Sequence, residues 1–211
     1  MLKIYYHPLS FPSLGPVFTA EATGLFYEKT VVDLMTKQHK TADYLAISPY
    51  GKIPGLTDGD FKMAESAAIM RYIARREKSE LYPSDSKRQA KIDQWMDSVN
   101  HHIRGPVGQV QFNRVVAPLM GANVDEGSIK TGLKLLENNL PLIETQLSET
   151  PFLCGEAMSL ADIALLAALE PVKMAKIDMT PYPALSAWLE VRRAETFYTN
   201  IHTHFGAEMG M

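Results

Sequence analysis

Two short stretches bring together residue types that could do chemistry: Ser48-Pro49-Tyr50-Gly51-Lys52-Ile53-Pro54-Gly55-Leu56 and, further on, Glu65-Ser66-Ala67-Ala68-Ile69. Proline lacks an N–H and cannot sit inside a sheet, so Ile53-Pro54 is expected to bend the chain into an edge strand. Such a bend leaves the N–H and C=O of Ile53 facing outward, where an extended peptide can pair with them strand to strand. Glu65 and Ser66 open the next helix and are near enough to read one end of that ligand. The alternative is an ordinary loop proline, and the rest of the chain has to decide between them.

The bulk properties exclude several other chemistries. With 211 residues, 46% of them hydrophobic, the chain can fill one large or two small folded domains. A formal net charge of -3 and no run of Lys or Arg longer than two argue against a nucleic-acid partner. The single cysteine, Cys154, forbids an internal disulfide, a CxxC pair or a cysteine-rich metal site, so any thiol chemistry must use a thiol of the ligand. Cys154 itself reads as a small core residue in a buried turn. His101-His102 and His202-x-His204 lack a third ligand at metal spacing, and no metal is expected. No apolar run is long enough to cross a bilayer and the N-terminus lacks a signal-peptide pattern, so the expectation is a cytoplasmic protein with no membrane partner.

The elements that must position these residues follow from patterning. Leu2-Lys3-Ile4-Tyr5-Tyr6 reads as a strand stopped by His7-Pro8. A helix follows, starting just after residues 10–13 with Pro16 in its first turn and ending at Gly24. Residues 30–34 read as a second strand and 41–47 as a short helix. Asp58-Gly59-Asp60 turns a hairpin between 55–57 and 61–63, and a helix over 65–76 presents Ala68, Ile69, Tyr72 and Ile73 on one face. The order βαβ then ββα is that of a thioredoxin-like domain, placed at residues 1–78. Turn residues around 81–86 mark a boundary.

The remainder, 86–211, reads as an all-helical bundle. A long helix starts at Ser86 and is bent or stopped by Gly105-Pro106. The next helix, 128–147, carries the stripe Leu133, Leu136, Leu140, Ile143 and Leu147, with a kink or break at Pro141. Ser159-Leu160-Ala161-Asp162 has the form of a capping box ahead of a helix apolar nearly all round, expected at the centre of the bundle. A last full helix over 184–193 buries Leu185, Trp188 and Leu189, and the tail from Thr199 is expected to be partly mobile.

Taken together, 48–54, 65–69 and Phe152-Leu153-Cys154-Gly155 leading to the capping box resemble a cytosolic glutathione S-transferase of the serine type, similar to the phi, delta and theta classes. The resemblance spans essentially the whole chain. It implies a thioredoxin-like α/β domain followed by an all-α domain, a homodimer, and conjugation of the glutathione thiolate to small hydrophobic electrophiles. Glutathione would be the co-substrate. The Ile53-Pro54 bond would be cis, with Ile53 pairing with the cysteinyl unit. Glu65 and Ser66 would hold the γ-glutamyl end, and His39, Lys40 and Lys52 the glycine carboxylate.

The hydroxyl favouring thiolate falls on Ser10 in His7-Pro8-Leu9-Ser10, with Ser13 and Tyr6 as alternatives. Ser13 could equally be a helix N-cap. Leu9, Phe11, His102, Gln109 and Phe112 would meet the electrophile between the domains. The absence of a cysteine near Ser10 sets aside the cysteine-type branches. This chain has Leu14-Gly15-Pro16 where many serine-type relatives carry an arginine, a departure that bears on the start of the first helix. It keeps open a non-catalytic glutathione-binding or scaffold protein of the same fold, alongside a glutathione-dependent peroxidase or disulfide reductase.

Overall fold

The computed structural model describes residues 1–201. It divides into two compact units, Met1–Asp85 with the chain from Glu195, and Ser86–Ala194.

The first unit runs β1 (Leu2–Tyr6), α1 (Phe11–Thr23), β2 (Glu28–Val31), α2 (Ala42–Leu45), β3 (Gly55–Asp58), β4 (Phe61–Ala64) and α3 (Ser66–Arg76), in the thioredoxin-like order expected. The sheet order is β2-β1-β3-β4, with β2 parallel to β1 and the β3–β4 hairpin antiparallel. A parallel neighbour demands a crossover, which α1 provides. In β1, Leu2, Ile4 and Tyr6 are buried while Lys3 and Tyr5 are half-buried. Tyr5 meets Tyr44 of α2 edge-on at 5.8 Å. α1 lies against α3 at Gly15, where an added Cβ would stand 2.9 Å from Met70 Sδ and 3.4 Å from Ser66 Oγ.

Several boundaries differ from the sequence expectation, each for a physical reason. α1 begins at Phe11, with Pro12 in its opening positions and Pro16 inside the helix. Pro12 needs no N–H partner there, whereas Pro16 lies in the second turn rather than the first and forgoes the bond an N–H would make to the Pro12 carbonyl. β2 ends at Val31 because Asp33 turns the chain, its Oδ1 accepting the N–H groups of Met35 (2.8 Å) and Thr36 (3.1 Å). Pro54 leads into β3, an interior strand rather than an edge, which the sheet tolerates because ladder pairing starts only at Gly55. The buried face of α3 is Ser66, Ile69, Met70, Ile73 and Ala74, leaving Ala68 and Tyr72 half-buried.

The second unit opens on α4 (Ser86–Ser98). It continues without a stop through a wide π turn (Val99–Arg104), α5 (Gly105–Gln111), a second π turn (Phe112–Val116) and α6 (Ala117–Leu119). Each π turn ends two residues before a proline, Pro106 or Pro118, so the helix widens where a ring would strike a carbonyl one turn back. α7 (Glu126–Glu149) is capped by Asp125 and stays continuous through Pro141. Its buried residues are Ile129, Gly132, Leu136, Leu140 and Ile143, while Leu133 and Leu147 are only half-buried.

α8 (Leu160–Leu169) is buried at every residue. Asp162 Oδ2 accepts from the Ser159 N–H and hydroxyl, both at 2.8 Å, and Oδ1 from the Leu153 N–H at 2.9 Å. Glu144 of α7 caps α9 (Pro183–Arg193) from outside, its two oxygens taking the Ala184 and Leu185 N–H groups at 2.8 and 2.9 Å. Cys154 is half-buried rather than buried. Among the described residues, those from Glu195 to Ile201 belong to the first unit rather than to the helical one: Phe197 and Tyr198 of α10 (Thr196–Thr199) pack on Phe18 of α1 at 6.1 and 5.4 Å. His202 and His204 lie outside the described residues. No helix among the described residues is long and apolar enough to cross a membrane.

Candidate functional site

Strand register brings three loops of the first unit to one end of the sheet. Tyr5 pairs with Gly55 and Gly55 with Ala64. The chain therefore leaves β1 toward Ser10, enters β3 from Ile53-Pro54 and leaves β4 toward Glu65-Ser66, all at the same end.

At the first loop, Ser10 caps α1 with φ -100° and ψ 85°. Its N–H donates to His7 O at 2.9 Å, and its carbonyl accepts the Ser13 N–H and hydroxyl, each at 2.7 Å. The Ser10 hydroxyl is half-buried and makes no hydrogen bond among the described residues. The other two candidate hydroxyls are placed differently. Ser13 is fully buried, its hydroxyl also taking the His7 N–H at 3.2 Å. Tyr6 is 3% exposed, with Lys29 Nζ 5.2 Å from its ring centroid.

At the second loop, Ile53-Pro54 is cis. The peptide before it is clamped. Lys52 O accepts the hydroxyls of Ser48 at 2.7 Å and Tyr44 at 3.0 Å, while the Lys52 N–H returns to Ser48 Oγ at 3.3 Å. Gly51 has φ 57°, and a Cβ there would meet His39 O and Lys40 Nζ, both at 2.8 Å. Only glycine fits. Lys40 Nζ donates to Tyr50 O and Gly51 O at 3.2 and 3.1 Å, tying the loop down. The exposed Lys52 ammonium has no partner among the described residues, and the backbone of Ile53 makes no hydrogen bond among them. His39 is half-buried with Nδ1 unpartnered, and burial, aided by Lys40 and Lys37, holds its imidazole below the usual histidine range.

At the third loop, Glu65 stands before α3 with φ 73° and ψ 112°, an uncommon conformation for a residue with a side chain. Its carboxylate is exposed and makes no cap bond to the helix, whereas Ser66 is 7% exposed. The α3 N-terminus therefore offers unpaired N–H groups beside a serine hydroxyl and a free carboxylate, fitted to a carboxylate carrying a neighbouring ammonium.

Of the residues expected to meet an electrophile, Leu9 is half-buried and Phe11 is 6% exposed. In the second unit His102, Gln109 and Phe112 are exposed. His102 O accepts from Asn139 of α7 at 3.4 Å, and Gln109 Cβ lies 3.3 Å from where a Cβ of Gly132 would stand, so both sit along α7. No cluster of three or more His, Cys, Asp or Glu side chains among the described residues could hold a metal ion.

Sequence reasoning missed two contributors. Tyr44, a buried aromatic in a short helix, supports the Lys52 carbonyl. His7, read as a strand stop and as part of the pattern that marks Ser10, accepts the Leu9 N–H at Nδ1 (3.1 Å), a bond whose signal is a polar side chain two residues before a turn N–H.

Comparison with known proteins is consistent along the chain. The family model described as glutathione S-transferase, N-terminal domain, matches residues 1–75, and that described as glutathione S-transferase, C-terminal domain, matches residues 93–190. Glutathione S-transferase F10 of Arabidopsis thaliana is 40% identical over 169 residues, 79% of each chain. Glutathione S-transferase 3 of Zea mays is 36% identical over 196 residues, 90% of this chain and 87% of the relative. The solved structure of glutathione S-transferase I from mais, in complex with an atrazine glutathione conjugate, has a TM-score of 0.86 at 25% identity and covers 95% of both chains.

Proposed function

This chain belongs to the glutathione S-transferase family, and on that footing we propose that the three converging loops bind glutathione and that Ser10 activates its thiol. The protein is a transferase that joins glutathione to electrophiles. The observation that carries the assignment of the site is the convergence at one end of the sheet of the unbonded Ser10 hydroxyl, the unpaired Ile53 backbone and the open α3 N-terminus. In the proposed complex the cysteinyl unit pairs with Ile53. The γ-glutamyl carboxylate takes the α3 N–H groups and the Ser66 hydroxyl, and Glu65 pairs with the γ-glutamyl ammonium. Lys52, with His39 and Lys40 nearby, meets the glycine carboxylate.

Ser10 donates its O–H to the glutathione sulfur at the N-terminal end of α1, where the helix dipole also favours negative charge. The thiol proton leaves to solvent, and the thiolate attacks an electrophilic carbon. A carbon–sulfur bond forms as the leaving group departs with its electron pair. Each unit taken off the thiol pKa corresponds to about 1.4 kcal/mol, a size that one charge-assisted hydrogen bond supplies. Leu9 is proposed to line the electrophile's approach beside Ser10. A homodimer is part of this reading.

Conjugation of glutathione to chlorodinitrobenzene, with release of chloride, tests it. Ser10→Ala is expected to lose about a hundredfold in kcat, the scale of removing one donor to a developing anion, and Tyr6→Phe to stay near wild type. A Ser10→Ala enzyme as fast as wild type overturns the assignment of the hydroxyl. Wild-type protein retained on glutathione resin but inactive overturns the enzymatic reading.

A further inference from the structure

The geometry points to His7 as a positioning residue for Ser10, a role that rests on the reading of Ser10 given above. Three separate parts of His7 hold the turn that ends at Ser10. Its ring Nδ1 accepts the Leu9 N–H at 3.1 Å, its carbonyl accepts the Ser10 N–H at 2.9 Å, and its own N–H donates to Ser13 Oγ at 3.2 Å. Pro8 has no N–H, so Leu9 supplies the only backbone donor between His7 and Ser10, and the ring takes it. The side chain thus closes an i to i+2 turn of the kind Asn and Asp close with a side-chain oxygen.

A ring nitrogen accepts a hydrogen bond only when it carries no proton, so this turn requires the neutral imidazole with its proton on Nε2. Burial holds the ring below the usual histidine range, against the opposing pull of Asp33 just beyond β2, while α1 presents the neutral Ser13. On protonation, Nδ1 becomes a donor facing the donor of Leu9. The turn loses its bond and the Ser10 hydroxyl its fixed aim. His7 touches neither sulfur nor electrophile in this scheme; it acts through the Pro8-Leu9-Ser10 turn.

The test uses the full chain and three readouts. Asn at position 7 can accept the same N–H at every pH, whereas Ala cannot. With glutathione saturating, His7→Ala is expected to lower kcat for chlorodinitrobenzene about tenfold while KM for glutathione stays within twofold, and His7→Asn to restore kcat to within threefold of wild type. As pH falls through the titration of His7, kcat of wild type is expected to drop about tenfold further than kcat of His7→Asn, whose acid loss follows the thiolate proton alone. In 15N NMR spectra of wild type, His7 is expected to show the Nε2–H tautomer, and the Leu9 amide to shift with the same midpoint as the ring. A His7→Ala enzyme as fast as wild type, an acid loss in His7→Asn equal to that of wild type, or a Leu9 amide that ignores the titration of His7 overturns the proposal. A Ser10→Ala enzyme of wild-type rate removes the reading of Ser10 instead, and a Leu9 amide that still titrates with His7 then identifies that reading, not the turn, as the fault.

Discussion

The Ser13 hydroxyl lies 2.7 Å from the Ser10 carbonyl oxygen and 3.2 Å from the His7 N–H, so one fully buried side chain joins the two ends of the turn that presents the Ser10 hydroxyl. Ser13→Ala leaves the half-buried His7 N–H without its acceptor, which costs about 1 kcal/mol, the lower end of the range for an unmade buried bond. Urea unfolding should show that loss as a lower midpoint at unchanged slope. Ser10→Ala removes a hydroxyl with no intramolecular bond and should leave the midpoint near that of wild type. A large destabilisation by Ser10→Ala would assign Ser10 a structural role.

Two glycines at helix crossings should respond unequally to alanine. At Gly132 of α7 the new methyl would meet the Pro106 carbonyl oxygen and Val110 Cγ2, both at 2.9 Å, and backbone cannot step aside. Gly132→Ala is expected to cost about 1–3 kcal/mol in thermal or urea unfolding. At Gly15 the first obstacle is the thioether of Met70, the movable end of a flexible chain, so Gly15→Ala should cost less.

Lys40 and Lys52 should separate into stability and binding. Lys40 Nζ is already engaged by the Tyr50 and Gly51 carbonyls, so Lys40→Ala should loosen the loop and lower the midpoint of unfolding. The exposed ammonium of Lys52 has no partner among the described residues and should act on the ligand. Lys52→Ala is expected to raise KM for glutathione about fivefold, or about 1 kcal/mol, the upper range for an exposed ion pair, and less so at high salt. The stability of Lys52→Ala should match wild type.

Stability itself should carry a mark of His7. Its imidazole titrates lower in the folded protein than in the unfolded chain because burial disfavours the cation. The unfolded chain then binds more protons below about pH 6.5, so the contribution is complete above that pH and is lost as pH falls through the folded pKa. Wild type should weaken more than His7→Asn between pH 7.5 and pH 5.5 in urea titrations. Parallel losses in the two proteins would contradict this.

The two-unit order was legible in the chain because turn residues separate clean periodicities, and Asp-Gly between apolar runs marks the β3–β4 hairpin. Ser159-x-x-Asp162 was legible for the same reason, since capping is a local interaction. What escaped were features set by partners distant in sequence. The edge or interior place of β3 depends on where β1 inserts, and the buried face of α3 on the position of Gly15 and Met70. The interruption at Gly105-Pro106 was legible, but its form was not: the helix runs on through π turns that no local propensity announces. At the site, Ile53-Pro54 and Glu65-Ser66 stood out by residue type, but choosing among Tyr6, Ser10 and Ser13 required knowing which hydroxyl is already bonded. Backbone acceptors three and six residues away engage the Ser13 hydroxyl, and His7 escaped notice because its bond is to an N–H.

The most direct measurement is the ionisation of the glutathione thiol bound to wild type and to Ser10→Ala, followed by thiolate absorbance against pH. With the sulfur held by Ser10, the bound thiol in wild type should titrate at least about one unit below the ordinary thiol value of about 8.5, and Ser10→Ala should return it to that value. Equal titration in the two proteins, with glutathione bound in both, would contradict the assignment of Ser10.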